Sequence, residues 1–168
     1  MKTTFKVIEV IIIAVMIISV LSSCNEYKEF VGTYEANTHF ERDWELGDSG
    51  KKVKIENDIT AELILGEDGI YTYECFNVEG GDKFESHYQK GEYKILDGEI
   101  TLMPSEHWVK GDKGGVWKTA QMTAEETEKW TVKGKFNEGA VKLSLPWYFS
   151  YPDAPIDQEF KLVASADE

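Results

Sequence analysis

The stretch from Ile59 to Phe76, ITAELILGEDGIYTYECF, decides the fold class of this chain. In its first half, the apolar residues at positions 59, 61, 63 and 65 share one face, with polar residues between them. The segment GEDG at 66–69 is a turn signal, and tyrosines then alternate at positions 71 and 73, followed by Cys75 on the same side. Alternation with a period of two on both sides of a turn predicts a β-hairpin.

Two further hairpins follow the same pattern. In GEYKILDGEITL at 91–102, Asp97-Gly98 is a favoured two-residue turn between strands. In KWTVKGKFNEGAVKLSL at 129–145, NEG forms the turn, and the alternation places Trp130 on the inner face of the first strand. The inner face of the returning strand is predicted to carry Val141, Leu143 and Leu145.

Three more segments are also predicted to be strands: FVGTYEA at 30–36, KFESHYQ at 83–89 and EFKLVA at 159–164. Strands joined mostly by short turns, without an intervening helix, predict an all-β fold in which an antiparallel meander closes on itself. We therefore expect a single antiparallel up-and-down barrel of about eight strands. Two packed sheets, a β-sandwich, are the alternative.

The segment from Met103 to Lys129 breaks this pattern, because it is polar and rich in glycine. We interpret it as a long loop with a strand near Val116–Met122. Thr123 and Glu126 have the spacing of a capping box, which predicts a single helical turn.

Composition excludes some classes of function. The chain has 168 residues, enough for one domain, and its 31 acidic and 18 basic residues give a net charge of -13. Such a surface argues against nucleic-acid binding, because affinity for phosphates comes mainly from Lys and Arg. Acidic loops such as GEDG lack the ligand spacing of a calcium loop.

The N-terminus has the form of a secretory signal. MKTTFK carries two lysines, and an apolar run of 12 residues extends from Val10 to Leu21. This run is shorter than the roughly 20 residues that a membrane-spanning helix needs, but it fits the apolar region of a signal peptide.

Leu21-Ser22-Ser23-Cys24 resembles the lipobox of bacterial lipoproteins. The resemblance implies cleavage of a signal peptide at 1–23, lipidation of Cys24, and a short tether at 24–29. Two or three acyl chains anchor a protein stably, whereas one does not. We expect an envelope protein held at the outer membrane or cell surface, since Asn25 rather than Asp follows the cysteine. An ordinary signal peptide and an uncleaved anchor are the alternatives.

The segments FVGTYEA, LILGEDGIYTY and KGEYKILDGEITL resemble the lipocalin-like, calycin-type barrels of bacterial lipoproteins. The resemblance covers a domain at 30–165. It implies a non-enzymatic protein that binds a small apolar or amphipathic molecule inside its barrel. Small inward residues such as Ala61 and Gly134 would leave room for that molecule.

Aromatic residues are the candidate binding residues. Those at strand spacing are expected to line a ligand site or to be ordinary core: Tyr34, Tyr71, Tyr73, Tyr93 and Trp130. Others are expected to form an exposed surface for an envelope partner in a filled barrel: Trp108, Trp147, Tyr148, Phe149 and Tyr151. The segment PWYFSY at 146–151 would lie at an edge because of its flanking prolines.

No constellation for catalysis, metal or cofactor is recognisable. His39, His87 and His107 lie on different predicted elements without the convergence that zinc or copper needs, and we interpret them as solvent-facing or loop residues. Ser105-Glu106-His107 are adjacent in sequence, which does not produce triad geometry. Cys75 is expected to be buried and unreactive. We therefore predict no enzymatic activity, no metal and no cofactor.

Overall fold

A computed structural model describes residues 28–46, 51–110, 117–146 and 155–165. Cys24 and the signal segment lie outside these residues. Within them, nine strands and one α-helix form. The strands are β1 (Gly32–Leu46), β2 (Lys51–Leu65), β3 (Ile70–Glu79), β4 (Asp82–Leu96), β5 (Glu99–Lys110), β6 (Trp117–Gln121), β7 (Val132–Asn137), β8 (Ala140–Leu145) and β9 (Ile156–Ser165). The helix α1 runs from Ala124 to Trp130, and a 3-10 helix at Lys28–Phe30 precedes β1.

Eight of the strands close into one antiparallel barrel. Strands β1 to β5 pair in sequence order, β7 pairs with β5, and β8 and β9 continue the ring until β9 pairs with β1. Strand β6 lies outside the ring. It occupies the edge of β5 at 106–110, while β7 occupies the same edge at 99–102. The closed ring confirms the predicted barrel and excludes the two-sheet sandwich.

Tight turns gather at one end of the barrel, which we call the closed end. Asp97 and Gly98 have φ angles of 52° and 72°, and this left-handed pair fits the two-residue hairpin turn predicted for Asp-Gly. The closed end also holds the β2–β3 and β7–β8 turns and the 3-10 helix. The opposite end, which we call the mouth, bears the β3–β4 turn, β6 and α1.

Side chains fill the closed half of the interior. Alternation along each strand directs apolar residues inward, and large ones in this half are less than 2% exposed: Tyr34, Leu63, Leu65, Tyr71, Ile100, Leu102 and Phe160. Burial of one such aliphatic or aromatic side chain stabilises the fold by about 1.5–3 kcal/mol. On β8, Val141, Leu143 and Leu145 face inward as predicted.

The 3-10 helix seals the closed end. The Tyr34 hydroxyl donates to the Phe30 carbonyl at 2.8 Å, and the rings of Phe30 and Phe136 lie 4.4 Å apart between centroids. The Tyr93 hydroxyl donates to the Gly66 carbonyl at 2.7 Å, which ties β4 to the β2–β3 turn. These contacts leave the polar ends of both tyrosines bonded to backbone.

Three predicted boundaries were wrong. Residues 103–110 continue β5 rather than forming a loop, because β6 pairs with their free edge. The two segments at 83–89 and 91–96 are one strand, β4. Trp130 is the last residue of α1 rather than part of a strand, since the capping box at Thr123 and Glu126 starts a helix that runs for two turns.

In the described part of the chain, no helix combines the length and apolar character needed to cross a bilayer.

Candidate functional site

Polar side chains occupy the interior on the mouth side of the barrel core. We call Tyr73, His87, Gln89 and Gln158 the polar cluster. His87 and Gln89 are each 1% exposed, and Gln158 is 2% exposed. Buried polar groups are normally hydrogen-bonded, so an interior group without a partner requires an explanation.

The pairing of β3 with β4 places two of these residues. Tyr73 is the register partner of Gln89, and Cys75 is the partner of His87. An irregularity between Cys75 and Phe76 then shifts the register. As a result, the consecutive residues Ser86 and His87 are both buried, which regular alternation does not allow.

A chain of hydrogen bonds fixes the orientation of Gln158. The Tyr73 hydroxyl donates to the Pro146 carbonyl at 2.7 Å, and Gln158 Nε2 donates to the same hydroxyl at 2.9 Å. Because the hydroxyl has only one proton, its bond to Pro146 requires the Gln158 amide nitrogen to face it. The Oε1 atom of Gln158 is therefore left buried without a partner among the described residues.

His87 is the least satisfied residue of the polar cluster. Neither Nδ1 nor Nε2 of its ring has a hydrogen-bond partner among the described residues. Burial, with a smaller contribution from His107, lowers the pKa of His87 to about 3. The imidazole is therefore neutral at physiological pH and offers one donor and one acceptor. Gln89 Nε2 is also buried without a partner.

Aromatic rings surround His87. The Trp130 ring stacks on it with centroids 5.9 Å apart and planes 21° apart, and the Tyr73 ring lies 6.0 Å away. His107, the register partner of Gln89, contacts the edge or face of Trp130 at 5.5 Å. Trp130 is itself only partly buried, so its ring lies between His87 and the mouth.

The helix that carries Trp130 is held mainly by its own cap. The Thr123 hydroxyl accepts from the Glu126 backbone N–H, and the Glu126 carboxylate accepts from the Thr123 N–H at 2.7 Å. None of the residues of α1 is fully buried. The helix is thus a locally stabilised cover with little core packing of its own.

The polar cluster can recognise a molecule by hydrogen bonds without charge. Within the described part of the chain, Gln89 Nε2 is a donor without a partner and Gln158 Oε1 is an acceptor without a partner. The neutral ring of His87 offers one donor and one acceptor. Among the described residues, the buried polar side chains are Ser86, His87, Gln89 and Gln158, and none of them is acidic or strongly basic. Such a site supplies orientation and specificity to a small ligand.

The predicted ligand-binding aromatics do not lie together in the structure. Tyr34 and Tyr93 lie at the closed end with their hydroxyls bonded to backbone, and burial raises the pKa of Tyr34 to about 12. Tyr71 is buried, and its hydroxyl has no partner among the described residues. Tyr73 and Trp130 belong to the mouth side, where they contact His87.

The two small inward positions differ. Ala61 is fully buried and lies in a row of short side chains with its register partners Ala36 and Cys75, next to His87. Gly134 leaves no gap, contrary to the prediction. A Cβ atom there would lie 2.6 Å from Lys142 O and from Leu143 Cδ2, because β8 passes close to it.

The predicted partner surface is described only at Trp108. Its ring stacks on that of Tyr88, with centroids 5.8 Å apart and planes 26° apart. Both rings are partly buried. The other four residues lie outside the described part of the chain: Trp147, Tyr148, Phe149 and Tyr151.

The interpretation of the histidines as solvent-facing or loop residues was wrong for His87 and His107. Both lie on strands, and both rings contact the ring of Trp130. The sequence did contain a signal for this. Alternation traced back along β4 from Tyr93 and Ile95 reaches Gln89 and His87 on the inner face. Cys75 is buried as predicted, and burial raises the pKa of its thiol.

His39 lies on the outer face of β1, as an exposed residue. Its ligand atoms and those of Glu41 and Glu56 lie within 4.8 Å of one another. Two of these side chains already have partners outside the group: His39 Nδ1 lies 2.8 Å from Asp58, and Glu41 lies 2.5 Å from Lys54 Nζ. Exposed acidic groups of this kind are common on protein surfaces, and we assign no ion to it.

A surface cavity of about 500 Å³ lies where β7 and β8 separate. These strands pair only at Phe136↔Val141 and Asn137↔Ala140, after which β7 follows β5 and β8 follows β9. Charged residues of both signs line the cavity, and the Lys142 ammonium lies 3.6 Å from Glu159. Gln158 lines this cavity and also belongs to the polar cluster.

Models of known protein families give no match to this chain, and comparison with curated proteins gives no significant match either. The assignment of function therefore depends on the geometry of the barrel and of the polar cluster.

Proposed function

We propose that this chain is a lipid-anchored envelope protein, without enzymatic activity, whose barrel binds a small amphipathic molecule at the polar cluster. The anchor is the lipidated Cys24, which would hold the barrel at the outer membrane or cell surface through the tether at 24–29. The ligand enters from the mouth and contacts Trp130 and His87.

The main observation in support of ligand binding is that the ring of His87 is buried without hydrogen bonds to the described residues. Both of its ring nitrogens are buried and have no hydrogen-bond partner in the part of the chain that the structure describes, and the same holds for one atom in each of the amides of Gln89 and Gln158. A buried polar group left unsatisfied destabilises a protein by about 1–3 kcal/mol. A ligand with complementary polar atoms would satisfy these groups, which gives a physical reason for retaining them in the interior.

The filled closed half restricts where the ligand lies. Tyr34, Leu65 and Phe160 are fully buried there, and the hydroxyl of Tyr34 is already bonded. A ligand is therefore limited to the mouth side, where the short side chains of Ala36, Ala61 and Cys75 form the wall beside His87.

Two features support a role without catalysis. A general base works best when its pKa lies near the operating pH, whereas burial holds the pKa of His87 near 3. A nucleophilic cysteine needs a depressed pKa, whereas burial raises that of Cys75.

Lipid attachment is tested by mass spectrometry of the mature protein from a bacterial host. We expect an N-terminus at Cys24 with the mass of a diacylglyceryl group and its acylated amine. A Cys24→Ala variant should remain unprocessed and should lack the added lipid mass. An unmodified N-terminus at another residue would exclude the anchor.

Ligand binding is tested with the soluble domain that starts after Cys24, once circular dichroism shows that it is folded. A compact, uncharged naphthalene-based fluorescent probe without an acyl chain should gain emission on binding and should quench Trp130. His87→Phe should abolish the gain while retaining the β spectrum. A folded wild-type domain that takes up no probe at micromolar concentration would exclude this role.

A filled barrel that binds an envelope protein is the second candidate, and the packed closed half favours it. Its surface would include the stacked Tyr88–Trp108 pair on the outer wall. Trp108→Ala should then abolish capture of a partner by the tagged lipoprotein and leave the melting temperature within a few degrees of wild type. A large fall in melting temperature would instead assign Trp108 a structural role.

A further inference from the structure

The ligand's chemistry can be narrowed from the charges that surround the polar cluster. Its unpartnered atoms are an amide N–H, an amide oxygen and a neutral imidazole. No Lys, Arg, Asp or Glu is among the buried side chains of the described residues. An ionised group brought into this interior would therefore lose its water without gaining a counter-charge, which is far more costly than transferring a neutral amide or hydroxyl.

One charged residue of the cover, Glu126, takes part in the helix cap. Glu126 acts electrostatically on His107, but its carboxylate accepts both the backbone N–H and the hydroxyl of Thr123. This capping interaction engages the Oε2 atom of Glu126 and lowers the pKa of its carboxyl group. An ammonium group entering beside Trp130 would therefore compete with the helix cap.

The charge of the whole protein also opposes an anionic ligand. The chain has a net charge of -13 at pH 7. The summed field of such a protein repels anions and lowers their concentration near the mouth. A carboxylate would thus be disfavoured both on approach and after burial.

The available space limits the size of the apolar part. The closed half is filled by fully buried side chains such as Leu63 and Ile100, so a long acyl chain has no channel there. The neighbouring surfaces are instead flat: the His87 and Trp130 planes differ by 21°. A compact ring that displaces or shifts Trp130 would fit between these surfaces better than an extended chain.

Resting on the proposed function, we infer that the ligand is a compact amphipathic molecule whose polar head is uncharged, such as a primary amide or a hydroxyl. Gln89 donates to the head, Gln158 accepts from it, and His87 contributes whichever role its tautomer allows. Fatty acids and alkyl amines are excluded as preferred ligands by the same residues.

The test uses four naphthalenes substituted at the same ring carbon: the carboxamide, the hydroxymethyl, the carboxylate and the aminomethyl compounds. Isothermal titration of the folded domain at pH 7.0 should give the amide and the alcohol affinities at least about tenfold higher than those of the two ions, the equivalent of about 1.4 kcal/mol. A smaller difference, or a preference for either ion, overturns the inference but leaves the proposed ligand role intact.

Two glutamine-to-leucine variants test whether the polar head of the ligand binds at the polar cluster. Gln89→Leu should reduce amide affinity about tenfold or more while leaving the affinity of the ions unchanged. Gln121→Leu makes the same change at an exposed position on β6 and should have no effect on any of the four. An equal loss for the amide in both variants overturns the assignment of the head to the polar cluster.

A carboxylate could bind if it carried a proton in with it, and the same titrations detect this. Repeating the carboxylate titration in buffers of different ionisation enthalpy reports the protons taken up. Tight carboxylate binding with proton uptake by His87 overturns the inference. Failure of all four compounds to bind a folded domain refutes the proposed ligand role itself.

Discussion

Gln158 on β9 and Tyr73 on β3 meet inside the barrel, where the Gln158 amide donates to the Tyr73 hydroxyl at 2.9 Å. They are 85 residues apart in the chain. The same hydroxyl donates to the Pro146 carbonyl, so one side chain connects three segments that come from opposite ends of the domain.

Removal of that hydroxyl should destabilise the fold. Tyr73→Phe leaves the Gln158 amide and the Pro146 carbonyl without their partner, and we expect a loss of about 1–3 kcal/mol in the free energy of unfolding. Urea denaturation measures this. Tyr88→Phe, at a partly exposed tyrosine on β4, is the control and should change stability by less than about 0.5 kcal/mol. Equal effects in the two variants would contradict the role of Tyr73.

Acid should destabilise the domain through His87. Its folded pKa is about 3 against an ordinary value of 6.5, so between these pH values the unfolded chain binds a proton that the folded chain does not. Stability is therefore retained above pH 6.5 and lost as the pH falls, at roughly 1.4 kcal/mol per pH unit within the window.

The contribution of His87 is measured as the difference in the free energy of unfolding between the wild-type protein and His87→Phe at several pH values. The variant should show a flatter pH profile. His39→Gln is the matched control. The exposed His39 has its pKa raised by Asp58, so its contribution is present at low pH and is lost as the pH rises. A His87→Phe profile that is parallel to wild type would refute the burial of a neutral imidazole.

Gly91 is required for the close contact between β4 and β5. A Cβ at this position would lie 2.1 Å from Met103 O and 2.6 Å from Pro104 Cα, at a point where the register of the two strands shifts. Backbone atoms cannot move aside cheaply, so Gly91→Ala should destabilise the domain by about 1–3 kcal/mol or more.

Thermal unfolding of Gly91→Ala is compared with that of Glu92→Ala. Glu92 is the next residue and is exposed, so its change should alter stability by at most about 0.5 kcal/mol. A Gly91→Ala protein that is as stable as wild type would show that the strands separate there without cost.

The helix cap should control the cover over His87. Thr123→Ala removes the hydroxyl that accepts from the Glu126 N–H, and loss of such an N-cap side chain destabilises a helix by about 1 kcal/mol. Amide hydrogen exchange in residues 124–130 should accelerate about fivefold, while exchange in β2 and β3 stays unchanged. Thr119→Ala, on exposed β6, is the control. Acceleration throughout the barrel would mean that α1 is part of the core and not a separate cover.

The sequence predicts the ring of this barrel better than its mouth. The hairpin at 59–76 and the Asp97-Gly98 turn depend on local alternation and on turn chemistry, and both are found in the structure. The inner face of β8 also follows the alternation. These features need only neighbours in the chain, so a single sequence contains them.

The mouth depends on interactions that alternation does not encode. Ser86 is buried beside His87 because of an irregularity after Cys75 on the paired strand, and no residue pattern predicts that irregularity. Trp130 has two competing signals, a strand alternation and the capping box, and the second prevails. The unpartnered atoms of Gln89 and Gln158 become visible only when strands far apart in sequence are placed together.

Strand β6 and helix α1 have a consequence for how this protein can vary. They lie between β5 and β7 in the chain, and β6 pairs with the same edge of β5 as β7 does. The eight-stranded ring closes without them. The length and residues of this segment can therefore change while the hydrogen-bonded ring stays the same, and under the proposed function such changes would alter which molecule is admitted at the mouth. Proteins with the same ring but different segments between β5 and β7 would then bind different ligands.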